Sequence, residues 1–250
     1  MKQIILAMSG RKGAGKNTIA KFIAHYYASQ RGGNVDDLVF ECSFADTLKQ
    51  FCIDVLGLSY ESCYGTDEQK DAPTQYQWES ATWFLRWKFG SRVISYSTGD
   101  INYKTESDPN ALMQQFHAYN GIPKGHQSGP MSGRQIMQIL GTDLIRETFG
   151  NVWANAIIRL IKKQNKPLSI ITDNRFPSEV DIILRESYGH IIRLTRSPRG
   201  FSDIHPSEAS LDHYDWDKNK CFVLDNSSLN IEEQNTAVIP ILHKIFNASN

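Results

Sequence analysis

The stretch Gly10-Arg11-Lys12-Gly13-Ala14-Gly15-Lys16-Asn17-Thr18 decides the reading of this chain. It follows the apolar run Ile4-Ile5-Leu6-Ala7-Met8 and opens a segment in which Ile19, Phe22, Ile23 and Tyr26 share one helical face. Its spacing is that of a phosphate-binding loop between a strand and a helix, G-x-x-x-x-G-K. The chemistry explains the spacing. Glycines allow a tight turn in which successive N–H groups face a polyphosphate, and the helix N-terminus adds positive potential. Lys16 is long enough to reach the β- and γ-phosphates as a mobile point charge. Residues 10 to 18 are therefore the expected seat of ATP. One position departs from the pattern: Asn17 stands where a hydroxyl residue usually follows the lysine, and Thr18 comes next. Either Thr18 supplies the hydroxyl toward Mg²⁺, or a water shell holds the ion.

Outward from this loop, five short apolar runs read as strands: residues 4–8, 38–44, 168–173, 190–195 and 221–224. Continuous apolar runs suit strands buried on both faces of a parallel sheet. Helical patterns lie between them, including Trp153, Ala156, Ile157, Leu160 and Ile161 on one face. This alternation predicts an α/β fold, a mainly parallel five-stranded sheet flanked by helices. Residues 48–133 break the alternation. Trp78, Trp83 and Trp87 recur at helical spacing with Phe84, and residues 120–133 read as an exposed loop. The stretch is expected to be an inserted, largely helical region. Residues 231–246 read as a final helix that Pro240 should kink or interrupt.

Composition narrows the function classes. The chain has 250 residues, 40% hydrophobic and 22% charged, with 27 basic and 27 acidic side chains. That balance offers no global field for a polynucleotide or a membrane surface, so neither partner is expected. No stretch approaches the roughly 18 apolar residues of a membrane span. Cys42, Cys52, Cys63 and Cys221 form no CxxC pair, which suits reduced thiols and a cytoplasmic location. The seven histidines show no metal-ligand spacing, so no dedicated protein metal site is expected.

Two clusters in the second half carry acceptor chemistry. In Ile170-Ile171-Thr172-Asp173-Asn174-Arg175-Phe176-Pro177-Ser178-Glu179 a strand ends at Asp173, and Pro177 suits a helix start. Ligands of wound α/β sheets bind at the carboxyl ends of strands. There Asp173 suits Mg²⁺-bound water or an acceptor hydroxyl, Arg175 a phosphate, and Glu179 the orientation of either. The same trio also reads as a salt-bridge cluster at a helix N-terminus. In Gly133-Arg134-Gln135-Ile136-Met137-Gln138-Ile139-Leu140-Gly141-Thr142, Arg134 and Gln138 share a helix face. A guanidinium for phosphate beside an amide for a base edge suits a nucleotide, and a plain polar helix face is the alternative. No Asn-Lys-x-Asp guanine-reading motif is present, which disfavours a GTPase.

The phosphate-binding loop, Ser43-Phe44-Ala45-Asp46-Thr47-Leu48-Lys49, Tyr64-Gly65-Thr66-Asp67, the series Arg134, Gln138, Gly141-Thr142 and Trp153, and Asp173-Asn174-Arg175-Phe176-Pro177-Ser178-Glu179 occur in one order. Together they resemble the deoxynucleoside monophosphate kinases of tailed bacteriophages, across roughly residues 1–226. The resemblance implies a nucleoside-monophosphate-kinase-like P-loop fold and phosphorylation of a dNMP to the dNDP with ATP and Mg²⁺. It implies that Arg134, Gln138, Gly141, Thr142 and Trp153 line the deoxynucleotide site, completed by Asp173, Arg175 and Glu179. It makes residues 48–133 the acceptor-binding insertion and residues 197–214 a lid, with Arg196 just before it or Arg199 within it touching ATP. A phage enzyme would work in the host-cell cytoplasm, and a homodimer is compatible with the sequence. Lys16, Arg134, Asp173 and Arg175 are then the expected catalytic residues. Two other classes stay open on the residues alone: a P-loop kinase of another small molecule, and a non-enzymatic ATP-binding switch.

Overall fold

The structure is a computed structural model that describes residues 2–78, 129–196 and 210–248. In chain order its elements are β1 (Ile4–Ser9), α1 (Lys16–Gln30), α2 (Val35–Leu38), β2 (Val39–Cys42), α3 (Asp46–Asp54), α4 (Tyr60–Tyr64), α5 (Asp67–Asp71), β3 (Pro73–Gln77), β4 (Pro130–Ser132) and α6 (Gly133–Gln138). A π-helical segment (Ile139–Leu144) leads to α7 (Ile145–Phe149), α8 (Val152–Gln164), β5 (Leu168–Asn174), α9 (Pro177–Arg185), β6 (Gly189–Leu194), β7 (Cys221–Leu224) and α10 (Ile231–Ala248). The chain divides into two compact units, Met1–Leu48 with Leu144–Asn250, and Lys49–Asp143.

The first unit is built on a five-stranded sheet in the order β2-β5-β1-β6-β7, with every pairing parallel. The five expected runs are its five strands, shifted by no more than one residue at any end except in β2, Val39–Cys42, which ends two residues early. Strand β1 lies at the centre and is buried along its whole length. Its side chains alternate between two cores. Ile4, Leu6 and Met8 pack with Ile19, Ile23 and Tyr27 of α1 and with Val238, Leu242 and Ile245 of α10. Ile5 and Ala7 face the other way, among Ile157 and Ile161 of α8 and Val180 and Ile183 of α9. The result is a helix–sheet–helix sandwich, which explains why the strands read as unbroken apolar runs.

Helix α10 departs from expectation. It runs through Pro240 without a break. Pro240 and Thr236, whose carbonyl loses its intrahelical donor at that point, are both on exposed positions, where an unbonded carbonyl costs least.

In the second unit, β3 and β4 form an antiparallel pair, with Pro73 opposite Ser132 and Gln77 opposite Pro130. No sequence pattern announced it, because both strands are short and begin with a proline. Trp78 is 1% exposed and follows β3, where its backbone N–H donates to Gly129 O at 2.9 Å. The expected helix through Trp83, Phe84 and Trp87 lies outside the described residues. The expected exposed loop at 120–133 is corrected at its end: Met131, Ser132 and Gly133 are buried. Ser132 caps α6 in a reciprocal capping box with Gln135.

His190, on β6, is buried, and among the described residues its Nδ1 has no hydrogen-bond partner. Burial, helped by the Lys220 charge, pulls its pKa down to about 4. Below pH 6.5 the unfolded chain takes up a proton that the folded chain refuses. Stability should therefore fall as pH drops from 6.5 toward 4, by up to about 3 kcal/mol from this one group. Urea unfolding across that window measures it, and His190→Phe should flatten this part of the profile.

Candidate active site

The loop between β1 and α1 has the geometry that phosphate binding requires. Gly15 is the N-cap of α1 with φ 93°, and no side chain caps the helix. The N-terminus of a 15-residue helix thus carries no side-chain cap and adds its positive potential beside the loop. Gly10, at φ 153°, passes so near β6 that a Cβ would sit 3.1 Å from Ala14 Cβ and 3.2 Å from Leu194 O. Lys16 folds back over the loop, its Nζ donating to Gly10 O at 2.6 Å and Arg11 O at 2.9 Å. Asn17 and Thr18 are exposed at the start of the helix. This donor set fits a triphosphate, and the Thr18 hydroxyl is open to solvent for a phosphate-bound cation.

The sheet register brings the second cluster alongside. Strands β1 and β5 are parallel neighbours, and Ser9 pairs with Asn174. The start of the loop and the segment Asp173–Glu179 thus occupy adjacent strand ends at the carboxyl edge, about 5 Å apart across the ladder. Asp173 turns its carboxylate toward the turn after β2, where Oδ1 accepts from Phe44 N at 2.6 Å and Oδ2 from Ala45 N at 3.2 Å. Asp46 closes the same turn, accepting from Ser43 N at 2.6 Å and Ser43 Oγ at 2.8 Å.

Glu179 is 2% exposed. Its Oε2 accepts from Arg175 N at 2.8 Å and Phe176 N at 3.1 Å, and its Oε1 pairs with the Arg146 guanidinium. Burial raises its pKa despite the opposing Arg146 charge. Glu179 thus holds the backbone that presents Arg175, while Ser210 Oγ donates to Arg175 O from the far side. Arg146 also lies over the Phe176 ring, 3.7 Å from its centroid. Trp153 is half-buried in the first turn of α8.

The remaining candidates belong to the second unit. Arg134, on α6, donates through Nε to Asp71 at 2.6 Å and through NH2 to Asp67 at 2.7 Å, both carboxylates coming from α5. Gln138 ends α6, partly buried. Gly141 and Thr142 lie in the π-helical segment, a geometry frequent at functional sites.

Several residues around the loop escaped sequence reasoning. Asp212 accepts from Arg11 of the loop at 2.6 Å and from Arg193 at 3.4 Å, and Arg193 also donates to Ser9 Oγ at 3.1 Å. The Arg11–Asp212 pair spans 201 positions, so no local pattern could have announced it. Arg196 is anchored on the chain after β7, its Nε donating to Asn226 O at 3.1 Å and NH2 to Leu229 O. Arg199 and most of the expected lid, residues 197–209, lie outside the described residues. Among the described residues no helix is long and apolar enough to cross a membrane.

Comparison with known proteins places the chain. A family model described as Deoxynucleotide monophosphate kinase matches residues 4–234. The chain is 27% identical over 221 residues to a protein of Acanthamoeba polyphaga mimivirus named "Putative deoxynucleotide monophosphate kinase", covering 83% of this chain and 82% of that one. It is 24% identical over 227 residues to the Deoxynucleoside-5'-monophosphate kinase of Escherichia phage T5, covering 83% and 85%. A phosphate-binding loop beside an arginine-bearing strand end, within a match that spans nearly the whole chain, makes this protein a member of the deoxynucleotide monophosphate kinase family.

Proposed function

We propose that this kinase moves the γ-phosphate of ATP, as its Mg²⁺ complex, onto a deoxynucleoside monophosphate to give the diphosphate and ADP. The observation that carries the reading is the register of β1 with β5, which sets the phosphate-binding loop beside the turn of Arg175. Bound ATP supplies the transferable phosphoryl group and Mg²⁺ its charge neutralisation. The attacking group is a phosphate oxygen already ionised at neutral pH, so the protein needs alignment and charge rather than a general base. Lys16 and backbone N–H groups of the loop hold the donor phosphates, with the Thr18 hydroxyl toward the cation.

Arg175 and Arg134 hold the acceptor phosphate. Arg134 spends two of its five donors on Asp71 and Asp67 among the described residues, which fixes its guanidinium plane for the rest. Gln138, Gly141, Thr142 and Trp153 line the nucleoside side, and residues 48–133 form an acceptor-binding insertion. Asp173 ties the Phe44–Ala45 turn to the acceptor site, and Glu179 presents the Arg175 backbone. The segment 197–214 serves as the lid that excludes water during transfer.

A coupled assay of ADP release tests this against a panel of dNMPs, ribonucleoside monophosphates and non-nucleotide alcohols. ADP formation should require Mg²⁺ and an added dNMP. Turnover with an alcohol alone, or slow hydrolysis indifferent to any acceptor, would refute the assignment.

A further inference from the structure

Asn226 follows β7 and is fully buried, although its side chain is polar. Its Nδ2 donates to Ala14 O of the phosphate-binding loop at 2.9 Å and to Gln234 Oε1 of α10 at 2.6 Å. Its Oδ1 accepts from Arg196 N at 2.9 Å. A carbonyl can only accept and a backbone N–H can only donate, so these partners settle which end of the amide is which. No other side chain of this size satisfies both: a carboxylate sets oxygen against oxygen at Ala14, and leucine leaves both groups unpaired.

The bond to Ala14 has a consequence one atom further on. Ala14 C=O and Gly15 N–H belong to one planar trans peptide and point in opposite directions. Anchoring the carbonyl inward on a buried amide therefore turns the Gly15 N–H away from the core, toward the side where the loop receives anions. Gln234, 2% exposed, braces the next residue: its Oε1 lies 3.2 Å from where a Gly15 Cβ would be.

We infer that Asn226 is a positioning residue for the phosphoryl donor, acting through the Ala14–Gly15 peptide, with Gln234 as its brace. The inference rests on the donor site assigned above, and ATP binding is the quantity it governs. Turning one N–H away from a charged phosphate costs on the order of ten- to a hundredfold in affinity. Asn226→Leu should therefore raise the Kd for ATP, titrated without acceptor, by about ten- to a hundredfold, with the dNMP KM changed by less than about twofold. Asn226→Ser, which keeps a hydroxyl donor, should recover part of that loss.

Melting temperature of each variant separates folding from positioning. A folded Asn226→Leu protein that binds ATP with wild-type affinity would overturn the inference, as would a parallel rise in both constants. If the leucine variant does not fold, Asn226→Ser decides: a several-fold weaker ATP Kd supports the role and an unchanged one refutes it. Lys16→Ala serves as reference. Loss of ATP affinity in that variant with none in the Asn226 variants leaves the donor site standing and removes Asn226 from it. Retention in all of them removes the donor site itself.

Discussion

Replacing Lys16 with alanine should lower kcat for dNMP phosphorylation by about a hundredfold to a thousandfold, the cost of deleting one preorganised charged donor, roughly 3 to 4 kcal/mol. Lys16 Nζ now rests on the Gly10 and Arg11 carbonyls at 2.6 and 2.9 Å. These are neutral acceptors, and the ammonium gains by exchanging them for phosphate oxygens whose charge grows during transfer. The side chain thus starts at the loop it serves and needs only to swing away from it. Lys16→Arg should remain far below wild type, because a planar guanidinium does not replace a compact ammonium inside a tight loop. The coupled ADP assay at saturating dNMP measures both, with melting temperature as the folding control. Near-normal turnover by the alanine variant would remove the loop from the chemistry.

Glu179→Ala should be among the most destabilising single substitutions in the chain. Its carboxylate is buried and serves three donors at once: the Arg146 guanidinium and the backbone N–H groups of Arg175 and Phe176. Removing it strands a guanidinium whose side chain is only 18% exposed and opens the N-terminus of α9. Breaking a buried pair from one side costs about 3 to 5 kcal/mol, which for a chain of this length lowers Tm on the order of 10 °C. Glu179→Gln keeps an acceptor for the two N–H groups but loses the charge and turns an NH2 toward the Arg146 guanidinium, so it should fall between. Activity should decline with Glu179→Ala even where the protein is folded, because the backbone of Arg175 hangs on this side chain. Equal stability of the alanine variant and wild type in urea unfolding would contradict the role.

Glu179 also illustrates where sequence reasoning ran short. Pro177 marked a helix start correctly, and α9 begins at Pro177, with Glu179 accepting from the backbone N–H of its N-cap Phe176. What that pattern did not contain was Arg146, 33 positions away, whose guanidinium makes the carboxylate a buried ion-pair partner. Asp173 behaves alike: its place at the end of β5 was legible, but its two bonds reach Phe44 and Ala45, 129 and 128 positions away.

The amino-acid sequence by itself determined the central strands, because burial on both faces demands unbroken apolar runs and leaves little else at 4–8 or 168–173. It determined the phosphate-binding loop as well, since the turn, the lysine and the helix N-terminus act within nine consecutive residues. Tertiary structure decided everything that joins distant residues. The order β2-β5-β1-β6-β7 sets β5, formed more than 150 positions later, directly beside β1. The hydrogen bonds from Asn226 to Ala14 and from Arg11 to Asp212 are decided the same way. Periodicity and motif spacing report forces between near neighbours in the chain. Pairings across 200 positions form only when strand order and helix packing bring their ends together, and no local pattern encodes them.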